Sequence, residues 1–316
     1  MADVKKIATR DSYGEALVEL GREREDFIVL DADLAEATKT GAFKKVFPER
    51  FYDCGIAEGN MMSIAAGIAA SGKKVFASSF AMFAAGRAFE QIRNSIAYPH
   101  LNVVIGATHA GISVGEDGAT HQCCEDIAIM RSIPGMTIIN PADHIEAKMA
   151  VKAAINHDGP VYLRLGRLAV PVVFDEDYAF EIGKGAVLKE GTDVTIIATG
   201  LMVAEALEAH EILKAEGISA RVINIATIKP LDTEIVLKAA KETGAIVTAE
   251  EHNVIGGLGS AVSEYLSEIC PTTVVKLGVN DTFGMSGPAN ELLDKFGLRA
   301  KNIAEKAKLA IAKKAE

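Results

Sequence analysis

Short unbroken apolar runs alternate with helically spaced stretches along most of this chain. The run from Phe27 to Leu30 shows no polar alternation, the mark of a strand buried on both faces. Lys74–Ser78, Asn102–Ala107, Met136–Asn140 and Val161–Leu165 read as strands of the same kind. Helical spacing fills the intervals: Thr9 or Ser12 caps a helix to about Arg24, and further helices span Glu58–Ala70, Met82–Tyr98, Glu125–Ile133 and Asp143–Asn156. Parallel strands need crossover connections, and helices are the usual ones, so this order predicts an α/β fold with a parallel sheet covered on both faces. The Glu58–Ala70 helix is apolar nearly all round and is expected to be central.

The alternation pauses between Leu168 and Thr192, where Pro171, three consecutive acids from Asp175 and three glycines break any period. This stretch reads as a connection with one hairpin. Alternation then resumes, with strands at Val194–Ala198, Ala220–Ile225, Ala245–Ala249 and Thr273–Leu277, and closes on helices Ala289–Phe296 and Ala300–Lys313. Residues 1–170 are therefore expected to form one domain, 171–191 a linker, and 192–316 a second, smaller α/β domain.

A length of 316 residues with 49% apolar and 24% charged residues suits two folded domains. The net charge of −10 repels phosphate backbones, which argues against nucleic acid as a partner. No window approaches the roughly 18 uninterrupted apolar residues of a membrane span. Met1–Arg10 carries no apolar run of the secretory kind. Four cysteines, two of them adjacent at Cys123 and Cys124, make no disulfide framework, so a reducing cytoplasm is expected.

Loops after the carboxyl ends of parallel strands are where such sheets place ligands. Asp31, Ala32, Asp33 and Leu34 follow the first strand, and Phe80 and Phe83 follow the Lys74 strand. Asp53–Asn60 opens the Glu58 helix, where a carboxylate either caps the helix or does chemistry. The segment from Thr108 to Gln122 holds two histidines, two acids and three glycines, and loops this long inside a compact domain are usually functional. A plain glycine-rich surface loop, a metal site from His109, Asp117 and His121, and a catalytic Cys123 or Cys124 all stay open on residue types alone. Arg164 and Arg167 follow a buried strand and need an anion, for which Asp193 or the acidic linker is available. Gly256, Gly257 and Gly259 open a helix but do not make the dinucleotide fingerprint.

In combination these segments resemble the C-terminal half of transketolase over essentially the whole chain. The string Val114-Gly-Glu-Asp-Gly-Ala-Thr-His-Gln122, then Glu125, Arg131–Pro134 and Pro141–Asp143, is similar to that family's substrate loop. Gly55–Glu58 resembles its cofactor-activating glutamate motif, and Ala8–Arg10 and Asp31–Leu34 fit in order. The resemblance implies a pyrimidine-binding domain followed by the family's C-terminal domain. It implies two-carbon ketol transfer with thiamine diphosphate, in the pentose phosphate pathway. Glu58 would hydrogen-bond the aminopyrimidine ring nitrogen, Phe80 and Phe83 would pack on that ring, and Asp33 and Leu34 would approach the cofactor across an interface. His109 and His121 would handle substrate hydroxyls, Asp117 would bind the hydroxyl beside the carbonyl, and Arg10 and Arg167 would bind the substrate phosphate. A serine of the family's phosphate site falls near Ala37 and a third aromatic near Gly86, with Thr38 and Arg87 the nearest residues able to compensate.

The family's Gly-Asp-Gly and Asn-Asn pair, which hold the diphosphate and its metal, do not occur in the chain. The resemblance therefore implies a split enzyme: the chain holds no metal, and a separate N-terminal transketolase subunit holds Mg²⁺ (or Ca²⁺) with the diphosphate. Self-association about a two-fold axis would give a heterotetramer acting on phosphorylated sugars. Related readings are a 1-deoxyxylulose-5-phosphate synthase, against which Glu116 counts, and the beta subunit of a 2-oxoacid dehydrogenase, which lacks such a loop. A regulatory or scaffold half fits poorly with filled catalytic positions.

Overall fold

The unbroken apolar runs form the middle of a seven-stranded sheet that is out of solvent except chiefly at its Phe51–Asp53 edge. A computed structural model describes residues 5–314; the reading of Met1–Arg10 rests partly on residues 1–4, outside the described residues. Across the sheet the strands run Thr227–Lys229, Thr137–Ile139, Val161–Arg164, Val103–Thr108, Lys74–Phe80, Phe27–Asp31 and Phe51–Asp53. All pair in parallel except Thr227–Lys229, which runs antiparallel to Thr137–Ile139. Helices Thr9–Glu23 and His144–Asn156 cover one face around Tyr13, Leu17, Phe76 and Val151. Helix Glu58–Ala70 and the segments after Phe80 cover the other, around Met61, Met62, Ile92 and Ile105.

The second sheet has five strands, ordered Thr273–Val279, Ala245–Asn253, Val194–Ala198, Ala220–Asn224 and Ala186–Lys189. Only the last is antiparallel to its neighbour. No helix among the described residues is long and apolar enough to cross a membrane.

Several expectations need correcting. The stretch after Leu168 makes no hairpin: Ala169–Pro171 pairs with Lys6–Ala8, and Ala186–Lys189 joins the second sheet. Neither Thr9 nor Ser12 caps the first helix, whose N-cap is Ala8; the Thr9 hydroxyl instead accepts from Gly166 N, and Ser12 Oγ lies 2.9 Å from His144 Nδ1. Met82–Tyr98 is not one regular helix but two wide π turns, Met82–Arg87 and Ile92–Ala97, about a short α turn. The Glu58–Ala70 helix is not central either. It buries Met61, Met62, Ala65, Ala66 and Ala69, while Asn60, Ser63, Ile64, Gly67 and Ala70 face solvent without a charge among them.

The two domains are joined through buried polar contacts as well as the shared edge strand. Glu146 accepts from Asn224 Nδ2 at 2.7 Å and Tyr178 Oη at 2.9 Å. Lys229 Nζ donates to the carbonyls of Arg131 and Ile133. Arg131 in turn reaches Gly256 O and Glu264 of the second domain.

Candidate active site at the carboxyl end of the first sheet

Strands Lys74–Phe80 and Val103–Thr108 lie side by side with Phe80 opposite Thr108, so the residues that follow each strand emerge together. Phe80 and Phe83 stack with ring centres 5.8 Å apart, and the His109 ring stacks on Phe80 at 3.7 Å. His121 stands edge-on to Phe83 at 5.2 Å. Four of the residues singled out in the sequence thus share one cluster.

His109 adopts φ 57°, which turns its ring back over Phe80 instead of continuing along the strand direction. Arg10 Nη1 lies 2.9 Å from His109 Nε2, and Thr108 Oγ1 lies 2.9 Å from Nδ1. A guanidinium nitrogen has only donors, so Nε2 accepts and the neutral ring carries its proton on Nδ1, directed at Thr108. Burial pushes the His109 pKa down to about 3, with Arg10, Arg167 and Lys39 adding to the effect. Arg10 Nη1 also donates to Ala37 O at 3.1 Å, while its Nε is buried with no acceptor. Arg167, whose charge also acts on Arg10 and His109, donates to Val114 O and to Glu116 Oε2 at 3.0 Å.

The loop from His109 to Gln122 is folded back by glycines at φ 81°, 89° and 76° (Gly111, Gly115 and Gly118), and an isolated bridge between Gly111 and Cys123 closes it. Gln122 Nε2 ties the carbonyls of Ile112 and Gly115 to Met285 of the second domain. A side chain at Gly111 would lie 2.3 Å from the Glu251 carboxyl carbon, so glycine is needed there for space as well as for φ.

Glu58 is the first residue of its helix and is buried. Its carboxylate makes no capping bond; Arg87 Nη1 donates to Oε1 and Oε2 at 3.3 and 3.4 Å. The Arg87 guanidinium lies 4.2 Å from the centre of the Phe83 ring, which links Glu58 to the cluster. Arg87 thus occupies the flank of Phe83 beside Gly86, where the resemblance placed a third aromatic. Thr38 does not compensate at the phosphate site, because its hydroxyl is buried on Asp31 and Thr40.

Other positions stand apart. Asp117 is exposed on the loop, and Asp33, at φ 64°, is exposed with its amide donating to Asp53. Leu34 N donates to Asp31 Oδ1 at 2.6 Å. Asp31 has its carboxyl pushed up to about 6 by burial, against the hydrogen bonds that hold it. No three His, Cys, Asp or Glu among the described residues gather as metal ligands, so His109, Asp117 and His121 do not converge as a metal site. Cys123 and Cys124 are buried with thiol pKa values pushed up, the reverse of an activated nucleophile. The Gly257–Gly259 turn is filled from within, since Glu250 accepts from the amides of Leu258 and Gly259.

Arg164 pairs neither with Asp193 nor with the linker. It donates from Nε to Asp126 at 2.8 Å and from Nη2 to the Glu251 carbonyl at 2.9 Å, all of it buried. Tyr162 Oη donates to the same Asp126 oxygen at 2.9 Å. The partner of Arg167 is Glu116, and Asp193 instead accepts from Ser219 N. These partners meet only through the fold, and the one local cue is Asp126 two residues beyond the adjacent cysteines.

Two family models match the chain in succession: the transketolase pyrimidine-binding domain over residues 5–172 and the transketolase C-terminal domain over residues 183–303. A Methanocaldococcus jannaschii protein, named provisionally as a transketolase C-terminal section, is 53% identical over 94% of both chains. The 6-deoxy-6-sulfo-D-fructose transketolase subunit of a Clostridium species is 46% identical over 94% of this chain and 92% of its own. Human transketolase is 40% identical, and this chain spans 50% of its length. A solved structure described as a split gene transketolase, an inactive beta4 tetramer, superposes with a TM-score of 0.91 at 57% identity, over 97% of this chain and 99% of that one. With both domain types matched in order and at this identity, the chain belongs to the transketolase family.

Proposed function

We propose that this chain is the C-terminal subunit of a two-chain transketolase, moving a two-carbon ketol unit from a ketose phosphate to an aldose phosphate. The observation that carries this reading is the meeting of Phe80, Phe83, His109, His121 and Arg10 at the carboxyl end of the parallel sheet. A buried carboxylate at Glu58, beside stacked phenylalanines, fits the aminopyrimidine half of thiamine diphosphate. In this reading Mg²⁺ or Ca²⁺ and the diphosphate are held by an N-terminal partner subunit, since the Gly-Asp-Gly and Asn-Asn pair of the family do not occur in this chain. When bound, the cofactor supplies a nucleophilic carbon and an electron sink for the transferred unit.

In this reading Glu58 shares a proton with the pyrimidine ring nitrogen, and Asp33 and Leu34 approach the cofactor from across the subunit interface. Phe80 and Phe83 exclude water from the reacting face. His109 accepts a substrate hydroxyl at Nε2 once Arg10 turns away, and His121 moves hydroxyl protons beside it. Asp117 binds the hydroxyl next to the carbonyl. Arg10 and Arg167 exchange His109 and Glu116 for the substrate phosphate. The uncharged face of the Glu58–Ala70 helix supports self-association and a heterotetramer. The four cysteines are all unpaired, which suits a reducing cytoplasm.

Two relatives are named for a sulfosugar and for apulose 4-phosphate, so the donor panel must extend beyond the pentose phosphate sugars. The test mixes the chain with its partner, thiamine diphosphate and Mg²⁺. Ketol transfer is expected only from the mixture; a mixture inert toward every ketose phosphate and sulfonate would overturn the assignment.

A further inference from the structure

We propose that Lys39 is the third cation of a pocket, shared with Arg10 and Arg167, that grips the terminal tetrahedral oxyanion of the substrate, a phosphate or a sulfonate. The inference rests on the transketolase reading for its substrate but on this chain alone for its geometry.

Lys39 stands where glycine is the natural choice. It ends the short Ala35–Thr38 helix with φ 72°. At the matching end of the Thr233–Thr243 helix the chain uses Gly244, at φ 64°. A left-handed conformation is costlier for lysine than for glycine, because the Cβ crowds the carbonyl oxygen. Strain of this kind persists where the surroundings fix it, and at functional sites it points to a side chain with work to do.

The surroundings do fix it. A Cβ on Gly14 would lie 2.6 Å from Lys39 O and 2.7 Å from Lys39 Cβ, so the Lys39 backbone is seated directly on the first helix. Gly14 is one turn on from Arg10, on the same helix face. The contacts run both ways: Arg10 Nη1 reaches Ala37 O at 3.1 Å, and Lys39 Nζ reaches Asp11 Oδ1 at 3.4 Å. Two cations are thereby held together at the rim of the His109 cluster.

Their counter-ions are weak. Asp11 and Glu116, the acids facing Lys39 and Arg167, have side chains 41% and 64% exposed, where ion pairs contribute little. His109 is neutral and cannot balance them. Arg10 Nε is buried with nothing to accept its hydrogen. A buried donor without an acceptor beside two further cations is a site prepared for an anion. Arg10, Arg167 and Lys39 all help hold the His109 pKa down at about 3, which places the three fields on one spot.

The experiment has two readouts. In the assembled enzyme, Lys39→Met should raise KM for a phosphorylated ketose about tenfold relative to KM for the unphosphorylated ketose, the loss expected for one charge-assisted contact. Lys39→Gly should do the same while raising Tm, because it relieves the left-handed strain. Asp11→Asn should leave that KM ratio unchanged or improve it; a loss matching that of Lys39→Met would make Lys39 a structural partner of Asp11 and overturn the proposal. In the isolated chain, millimolar inorganic phosphate should raise Tm, and Lys39→Met should abolish most of that shift. Methanesulfonate serves as the second arm: a smaller shift than with phosphate assigns a dianion pocket, equal shifts assign one for either terminal group, and both keep Lys39 in it. A Tm indifferent to phosphate, or a shift retained in full by both Lys39 variants, would overturn the proposal. A Lys39-dependent shift in a chain whose assembled complex transfers no ketol unit would leave the pocket standing and remove the transketolase reading.

Discussion

Arg87 binds both oxygens of the Glu58 carboxylate while its guanidinium plane lies against Phe83. The arginine side chain is 54% exposed and the glutamate 4%, so the contact joins a buried acid to a solvent-screened cation. Arg87→Met leaves the buried carboxylate without its side-chain partner and should cost about 1–3 kcal/mol, less than a fully buried pair because the guanidinium is solvent-screened. Glu58→Gln keeps the shape, can still accept from Arg87, and should stay within about 1 kcal/mol of the parent in urea unfolding. Ketol transfer by the reconstituted Glu58→Gln enzyme should nonetheless fall by orders of magnitude, because an amide cannot share a proton with a ring nitrogen. Near-normal turnover would reduce Glu58 to a helix-end residue.

His109 should show no titration in NMR between pH 5 and 8. Its folded pKa of about 3 lies below the unfolded value near 6.5, so the unfolded chain takes up the proton first. The associated stability is present above about pH 6.5 and is lost as pH falls toward 3. His109→Gln should flatten this acid limb, and an unchanged limb would contradict the neutral assignment.

Glu146 should act with the opposite sign. Burial raises its folded pKa to about 7, so the folded state holds the proton longer than the unfolded chain does. Its contribution is complete below about pH 4.5 and is lost as pH rises through 7. Glu146→Gln should become more stable relative to the parent between pH 5 and 8, as read from the urea midpoint at each pH. A constant difference across that range would show that Glu146 is ionised throughout.

Asp126 and Arg164 form a fully buried pair, and breaking it from one side strands a charge. Arg164→Met alone should cost about 3–5 kcal/mol. Adding Asp126→Leu and Tyr162→Phe, which removes the hydroxyl that donates to Asp126, should recover most of that loss. Denaturation of the single and triple variants reads the difference; additive losses would contradict a coupled pair.

The parallel strands were legible because double-sided burial writes itself as unbroken apolar runs, as in Phe27–Leu30 and Val103–Ala107. The three-residue strands at Lys6–Ala8, Phe51–Asp53 and Thr227–Lys229 were not, since so few residues carry no period. The long His109–Gln122 loop announced itself by length and composition, and its two histidines do meet Phe80 and Phe83. Ion-pair partners were less accessible. Asp193 was the nearer acid to Arg164 in chain order, yet the loop preceding the Asp126–Arg131 helix delivers Asp126 to the arginine from an adjoining crossover. Lys39 looked unremarkable because its backbone angle is set by contact with Gly14, which no local pattern encodes.

Strand Thr227–Lys229 comes from the second half of the chain but completes the sheet of the first. A cut anywhere in residues 171–191 would therefore not release two self-sufficient bodies. The first would be left with the Thr137–Ile139 ladder open along one side, a template for any extended peptide in reach. The second would carry a loose three-residue segment with nothing to pair against. Nicked chains should accordingly stay bound through gel filtration and come apart only on unfolding, because the borrowed strand and the buried contacts beside it, not the covalent connection, hold the halves together.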